Sequence, residues 1–411
     1  MDNLKGYKRT EIGVIPNDWK LVKVKDIGEV FTGKTPSTSK DIYWNGNIPF
    51  ITPEDMTGGK YVYKTNRHVT IKGANKSGKI LPPNTLLVVC IGSTVGKVAL
   101  TYKKSVSNQQ INSIICKEDV DHDYIYYAIA HKSYLLRNYS GVAAVPIVKK
   151  SLFEGFKIPL PERINEQKKI AEILSTVDKA IEKVDESIAK TERLKKGLMQ
   201  KLLTEGIGHR EFKETEIGMI PKEWKIIKLG DVCTQRKETI LPKGKEKFVF
   251  IGLEHIEPGK IKTKSFSTNA EIKSAKFKFY SGDILYGKLR PYLDKAIVSE
   301  FGGICSTDLL VLNVNEEIYN KYFMVYVLHS KRFIRYAVSN TSGTNHPRTS
   351  WSAISTFKLV YPPLPEQKKI AEILSTTDNM LELLNEKKER LTKIKKGLMN
   401  VLLTGKIRVK V

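Results

Sequence analysis

Cysteine is scarce: four in 411 residues, at positions 90, 116, 233 and 305. They stand far from one another, so the close pairs that build zinc ribbons or redox motifs are missing. Cys90, Cys116, Cys233 and Cys305 are therefore expected to be buried small hydrophobes. Histidine is also sparse, seven residues with no two spaced three or four apart, so no helix face offers paired imidazoles and no metal held by this chain's side chains alone is expected. Long apolar runs are missing too. The run at residues 86–91 is closed by Gly92 and has strand length, against the roughly 20 residues that a membrane span requires. No apolar stretch follows the polar residues 1–10, so no secretory signal is readable. A cytoplasmic location without a membrane partner is the expectation. Acidic residues are in deficit, 44 against 69 Lys plus Arg, a formal charge of +25. With 41% hydrophobic and 27% charged residues the composition is globular, which argues against disorder as the main state. The excess charge points to a polyanionic partner.

What the sequence has is repetition. Glu11-Ile12-Gly13-Val14-Ile15-Pro16-Asn17-Asp18-Trp19 returns as Glu216-Ile217-Gly218-Met219-Ile220-Pro221-Lys222-Glu223-Trp224, an offset of 205. Glu166-Gln167-Lys168-Lys169-Ile170-Ala171-Glu172-Ile173-Leu174-Ser175-Thr176 recurs without change from Glu366 to Thr376, an offset of 200, and Lys195-Lys196-Gly197-Leu198-Met199 recurs from Lys395. A period near 200 is far above the roughly 20–50 residues of solenoid repeats, so a whole domain-plus-helix unit is duplicated. A pseudo-two-fold molecule is expected, and in a basic protein that arrangement suits two separated half-sites on a duplex. Because the globular halves differ in sequence, the half-sites should differ as well.

The near-identical segments read as long helices. Leu174, Val177, Ile181, Val184, Ile188, Thr191, Leu198 and Leu202 follow alternating steps of three and four, and Leu374, Thr377, Leu381, Leu384, Leu391, Leu398 and Leu402 repeat this with lysines standing at the 388 and 395 positions. This is the seam of a helix pair. Pro159 and Pro161 precede the first, Pro362, Pro363 and Pro365 precede the second, and Gly206 and Gly405 follow the ends. About 36 helical residues make a rod on the order of 50 Å long, long enough to act as a spacer. The globular halves carry strand-like runs at 85–91, 97–100, 248–251 and 308–312, with helical stretches at 123–138 and 319–338.

Catalytic patterns do not hold up. Residues 28–35 match the phosphate-loop pattern G-x-x-x-x-G-K-[ST] letter for letter, yet Pro36-Ser37-Thr38-Ser39 follows where a helix must open on the phosphates. Lys34 and Thr35 remain candidates for a polar loop beside a phosphate backbone. No methyltransferase cofactor loop, nuclease core or nucleophile motif is present, and Glu386-Lys387-Lys388 lies on the rod face. Recognition is the better reading. In the first half Ser93, Thr94 and Lys97, with Asn108, Gln109 and Gln110, offer amides for adenine and an ammonium for guanine or phosphate. In the second, Lys288, Arg290 and Tyr292, with Asn345, His346 and Arg348, supply base-reading side chains on turn-prone backbone. For each, a solvated turn is the competing reading.

These blocks, Glu-Ile-Gly-x-Ile-Pro-x-x-Trp, Glu-Gln-Lys-Lys-Ile-Ala-Glu-Ile-Leu and Lys-Lys-Gly-Leu-Met, resemble the specificity subunits of Type I restriction-modification systems over essentially the whole chain. The resemblance implies an α+β fold: two pseudo-symmetric mixed α/β target recognition domains separated by two long antiparallel-paired, coiled-coil helices. On this sequence the domains fall at 1–162 and 207–364, the central spacer helix at 163–206 and the C-terminal one at 365–411. Each domain would read half of a gapped double-stranded DNA site. The helices would set the spacing and dock two modification (methyltransferase) subunits, which restriction subunits join. The chain would be non-catalytic and hold no cofactor, with S-adenosylmethionine, ATP and Mg confined to partner subunits. The competing class is a coiled-coil scaffold with non-specific polyanion binding. One departure is visible: Arg163-Ile164-Asn165-Glu166 lengthens the first domain-to-helix joint relative to Pro365-Glu366.

Overall fold

The computed structural model describes residues 6–139, 145–241, 248–268 and 274–410. They form two compact units, one from the residues up to 185 together with those from 386 onward, the other from 186–385. Both unit boundaries fall inside the long helices.

In the first unit the apolar run expected as a strand is Leu86–Val89. Its alternate side chains enter two cores: Leu86 and Val88 pack with Tyr124, Ile125 and Tyr127, while Leu87 and Val89 pack with Ile51, Met56 and Ile111. Covering both faces is why the run is continuously apolar rather than alternating. The sheet runs Gly28–Thr32, Ile111–Cys116, Leu86–Val89, Val98–Thr101, Tyr61–Val62, with the last strand parallel to its neighbour and the rest antiparallel. A smaller sheet of Val106–Ser107, Trp44–Ile51 and Arg67–Val69 is held by its own cluster, in which the Arg67 guanidinium lies 3.6 Å over the Trp44 ring. His122–Asn138 covers one face, opened by Asp121, whose carboxylate accepts from Tyr124 N–H at 2.8 Å.

The second unit repeats this plan. Ile284–Gly287 lies between Leu309–Val314 and Ala296–Val298, with Ile284 and Tyr286 in one core and Leu285 in the other. The helical stretch expected at 319–338 is two helices, Lys321–Leu328 and Lys331–Ser339. Ser330 breaks it, its hydroxyl accepting from Phe333 N–H, a local bond that competes with helix continuation. Cys90, Cys233 and Cys305 are buried and Cys116 is half-buried. Burial pushes the Cys90 thiol up to about 11 and the others to about 12.

The long helices are Ile164–Leu202 and Leu364–Leu402, 39 residues each, or about 58 Å. Pro365 falls inside the first turn rather than before it, where no backbone N–H is required. Of the seam, Leu174, Val184, Thr191, Leu374, Thr377, Leu381, Leu202 and Leu402 are buried, and Val177, Ile181, Ile188, Leu198, Leu384, Leu391 and Leu398 half-buried. Within the first unit Asp178 pairs with Lys395 at 2.6 Å and Asp185 with Lys388 at 2.7 Å, a seven-residue step up one helix and down the other. The helices are therefore antiparallel there. In the second unit Lys195 pairs with Asp378 at 2.5 Å.

The repeated Glu-Gln pair anchors domain to helix. Gln167 is buried, accepting from Asp121 N–H and donating to the Pro161 carbonyl, and Gln367 does the same with Asn320 N–H and Pro362. Gln167 reaches back six residues and Gln367 five, so the first joint is longer by a single residue. Glu366 accepts from Ile207 N–H at 2.9 Å, His209 at 2.8 Å and the Trp224 indole at 3.0 Å. Gly206 makes this possible: its φ is +68°, and a Cβ there would lie 2.6 Å from the Trp224 ring. Glu166 is held by Arg408, which also forms two bonds to Asp18.

Candidate nucleic-acid interface

Three segments converge at one end of the first unit's main sheet. Strand Leu86–Val89 leads into the loop at 91–97, and residues 107–110 lead into Ile111–Cys116. Ile91 bridges to Ile147, Gly92 N–H donates to the Pro146 carbonyl at 2.9 Å, and Cys90 N–H donates to the Gln110 carbonyl at 2.8 Å. The loop at 33–38 joins them, since the Thr35 hydroxyl donates to Gln109 Oε1 at 2.6 Å. Lys34, Thr35, Gln109 and Gln110 are thus brought together. Ser93, Thr94 and Gln109 are exposed. Asn108 is buried, donating to Gln110 Oε1 and accepting from Gln110 N–H, so it shapes the turn that presents Gln109. Lys97 donates its ammonium to the Pro53 carbonyl at 3.0 Å, on the loop's margin.

The phosphate-loop lookalike has a different physical cause. Gly33 N–H donates to the Ile111 carbonyl, and Lys34 N–H to both Ser77 and Ser107, so these amides are not free to cradle a phosphate. No helix follows Thr35. A Cβ on Gly33 would lie 2.3 Å from the Ser107 and Asn108 carbonyl oxygens, so the glycine answers a close backbone approach. The same turn carries two lysines that the sequence reading overlooked. Exposed Lys76 closes the helix Ile71–Lys76, and Lys79 sits 5.2 Å over the Phe31 ring. Both flank the Ser77 carbonyl that holds Lys34.

In the second unit the two candidate stretches, more than fifty residues apart, are joined directly. Leu289 bridges to Arg348, Arg290 N–H donates to the Pro347 carbonyl at 2.8 Å, and Thr349 N–H donates to the Lys288 carbonyl at 3.0 Å. Arg290 has φ +51°, a left-handed backbone of the kind that functional loops retain. Arg348 pairs with Asp308 at 3.1 Å; Asp308 precedes its strand as Gln110 precedes its own. Tyr292, Asn345, His346 and Arg348 are exposed and Lys288 and Arg290 half-exposed. In each unit the loop after the central strand is thus tied to a later segment at the corresponding sheet end, Ile91 to Ile147 and Leu289 to Arg348, one end lined by hydroxyls and amides, the other by guanidinium, ammonium and imidazole groups.

The sequence matches the family described as the Type I restriction modification DNA specificity domain over residues 16–192 and again over 221–393. The chain belongs to this family. It is 31% identical, over 96% of its length and 94% of the relative's, to the type I restriction enzyme MjaVIII specificity subunit of Methanocaldococcus jannaschii. It is 22% identical to the EcoDI specificity subunit of Escherichia coli, over 96% and 90%. The type I S subunit from M. genitalium has the same fold, with a TM-score of 0.59 at 18% identity over 93% of this chain and 96% of that one. As a type I specificity subunit the chain carries two copies of one DNA-recognition domain. Among the described residues no helix is long and apolar enough to cross a membrane.

The recurring polar residues of the joints were the ones missed. Glu166, Gln167, Asp178 and Lys395, with Glu366, Gln367, Asp378 and Lys195, were given no role of their own in the sequence reading, yet they connect domain to helix and helix to helix. Their recurrence at matching positions of the two copies was the available signal.

Proposed function

We propose that the chain chooses the DNA sequence on which a type I complex acts, as a non-catalytic component with no cofactor of its own. The first unit reads one half of a gapped duplex site through Gln109, Gln110, Ser93, Thr94 and Lys97, with Lys34 and Thr35 on the backbone. The second reads the other half through Lys288, Arg290, Tyr292, Asn345, His346 and Arg348. Bidentate amide and guanidinium contacts in the major groove distinguish adenine and guanine, and lysines on phosphate supply affinity without sequence information. The long helices set the gap. Exposed apolar side chains on them, Leu194, Met380 and Leu383 in the second unit and Ile394 in the first, favour docking of two modification subunits there, which restriction subunits then join.

The observation that carries this reading is that, at the corresponding sheet end of each unit, the loop after the central strand joins a later segment, Ile91 to Ile147 and Leu289 to Arg348, with different exposed side chains. The test is long-read methylome sequencing of the source strain with and without this chain, modification subunits intact. Loss of adenine methylation at one asymmetric gapped motif is expected. An unchanged methylome with the partners expressed would favour a scaffold that binds DNA without sequence preference.

A further inference from the structure

At the opposite end of strand Val98–Thr101 from the 91–97 loop, the first unit exposes a cluster of tyrosines. Tyr63 and Tyr102 are each 58% exposed, with ring centroids 4.8 Å apart, and Tyr61 lies 6.0 and 6.4 Å from them. The cluster has a rigid base. Buried Lys60 pairs with Asp123 at 2.8 Å and places its ammonium 5.2 to 5.9 Å from the rings of Tyr61, Tyr126 and Tyr127. Lys64, Lys103 and Lys104 rim it, all exposed, and none is ion-paired among the described residues. The cluster borders the first long helix: after burial, the charge of Glu182 is the next cause holding the Tyr63 phenol above its ordinary value.

The second unit closes the equivalent surface. Val298 N–H bonds the Ile261 carbonyl as Leu100 N–H bonds that of Lys60, which aligns Lys262, Lys264 and Glu300 with Tyr61, Tyr63 and Tyr102. There Lys262 pairs with Glu300 at 2.5 Å and Lys264 pairs with Glu382. One unit presents open aromatic faces within unpaired cations, the other a self-neutralised salt-bridge surface.

We propose that Tyr61, Tyr63 and Tyr102, with Lys64, Lys103 and Lys104, form a docking surface for an acidic, apolar-bearing face of one modification subunit, so that the two copies of that subunit meet non-equivalent seats. This rests on the functional reading above. Aromatic rings at an interface supply large buried area at low conformational cost, and three unpaired ammonium groups select a negative rim. The position favours this occupant over DNA, because the tyrosines lie beside the helix where that subunit docks and at the far strand end from the base-reading loops.

The test titrates the purified full chain with the purified modification subunit, read by native mass spectrometry, alongside duplex binding. The wild-type chain takes two copies. Tyr63→Ser with Tyr102→Ser should keep one copy at unchanged affinity and weaken the other by at least about tenfold, the size of a hot-spot loss. Lys64→Glu with Lys103→Glu and Lys104→Glu changes only exposed groups and should reproduce the loss, keeping the test decisive if the tyrosine variant does not fold. Two copies bound at unchanged affinity in the charge-reversed variant would overturn the proposal, as would a loss confined to duplex affinity, which would make the patch a DNA contact. A wild-type chain that takes no modification subunit would overturn the functional reading, and the proposal with it.

Discussion

The Tyr326 hydroxyl donates to Asp378 Oδ2 at 2.8 Å while Lys195 holds Oδ1 at 2.5 Å, and in the other unit Tyr127, Asp178 and Lys395 repeat the arrangement at 2.6 Å for both contacts. One carboxylate thus ties a domain helix to a long helix and that helix to its antiparallel neighbour. The lysine and aspartate of the second triad are 16% and 13% exposed, so removing the anion leaves a cation and a phenol little water to turn to. Asp378→Ala should destabilise the second unit by about 2–4 kcal/mol, and Tyr326→Phe by about 1 kcal/mol. Urea unfolding checks both. Equal losses would mean that the carboxylate contributes only its bond to the tyrosine.

The Glu166–Arg408 contact makes the first unit depend on the end of the chain. Glu166 is 2% exposed and Arg408 41%, and Arg408 also meets Asp18. Arg408→Ala should cost about 2–3 kcal/mol, less than a fully buried pair because the guanidinium is partly hydrated. Hydrogen exchange should rise at residues 18–24 and 164–170 and stay unchanged around Trp224, where His209 takes the part of the arginine. Equal loss of protection at both joints would contradict the assignment of Arg408 to the first unit alone.

Stability should be flat near neutral pH and fall on both sides. Burial raises the thiols from 9.0 to about 11 or 12, and Tyr61 from 10.0 to about 12. The native state therefore holds these protons more tightly than the unfolded chain, and the stability they contribute is complete below about pH 9 and is lost as pH rises toward 12. Asp18 is shifted the other way, lowered chiefly by its hydrogen bond from Arg408, so its contribution is present above its ordinary value and lost as pH falls. Urea midpoints from pH 3 to 11 should trace that shape. A constant midpoint up to pH 11 would be incompatible with buried thiols and phenols.

The sequence was most legible where a physical period or a literal repeat imposed itself. The seam from Leu174 to Leu202 and its copy keep every apolar three-and-four position buried or half-buried, since a helix pair covers that stripe first. The duplication needed no structure. Convergence of the 288–292 and 342–348 stretches was beyond reach, because the Leu289 and Arg348 bridge spans more than fifty residues and no local pattern encodes it. Gly33 illustrates the opposite error available to pattern matching: the letters of a phosphate loop arise here from a carbonyl 2.3 Å from where a Cβ would be.

Gly33 and Lys34 should accordingly separate in experiment. Gly33→Ala forces backbone apart and should destabilise the first unit by about 1–3 kcal/mol. Lys34→Ala should leave folding intact, weaken duplex binding uniformly across sequences and reduce the salt slope by about one. Arg290→Ala, by contrast, should cost about 1–3 kcal/mol and relax specificity in one half-site only. Competition binding against single-base variants of the site distinguishes the cases; a uniform loss for Arg290→Ala would place that side chain on phosphate.

The helices offer the most direct test of how spacing is set. Removing one heptad from each, residues 184–190 and 384–390, keeps the seam in register because the pattern repeats every seven residues. Each rod shortens by about 10 Å at 1.5 Å per residue, close to the rise of about three base pairs at 3.4 Å each. The base-reading loops are untouched, so both half-sites should be kept while the gap between them contracts by about three base pairs. The deletion removes Asp185 and Lys388 together, so it leaves neither partner of that pair behind. Methylome sequencing of a strain carrying the shortened chain reads the new motif directly. An unchanged gap would mean that the spacing is fixed by the docked subunits, and the rods would then be docking surfaces without a ruler's role.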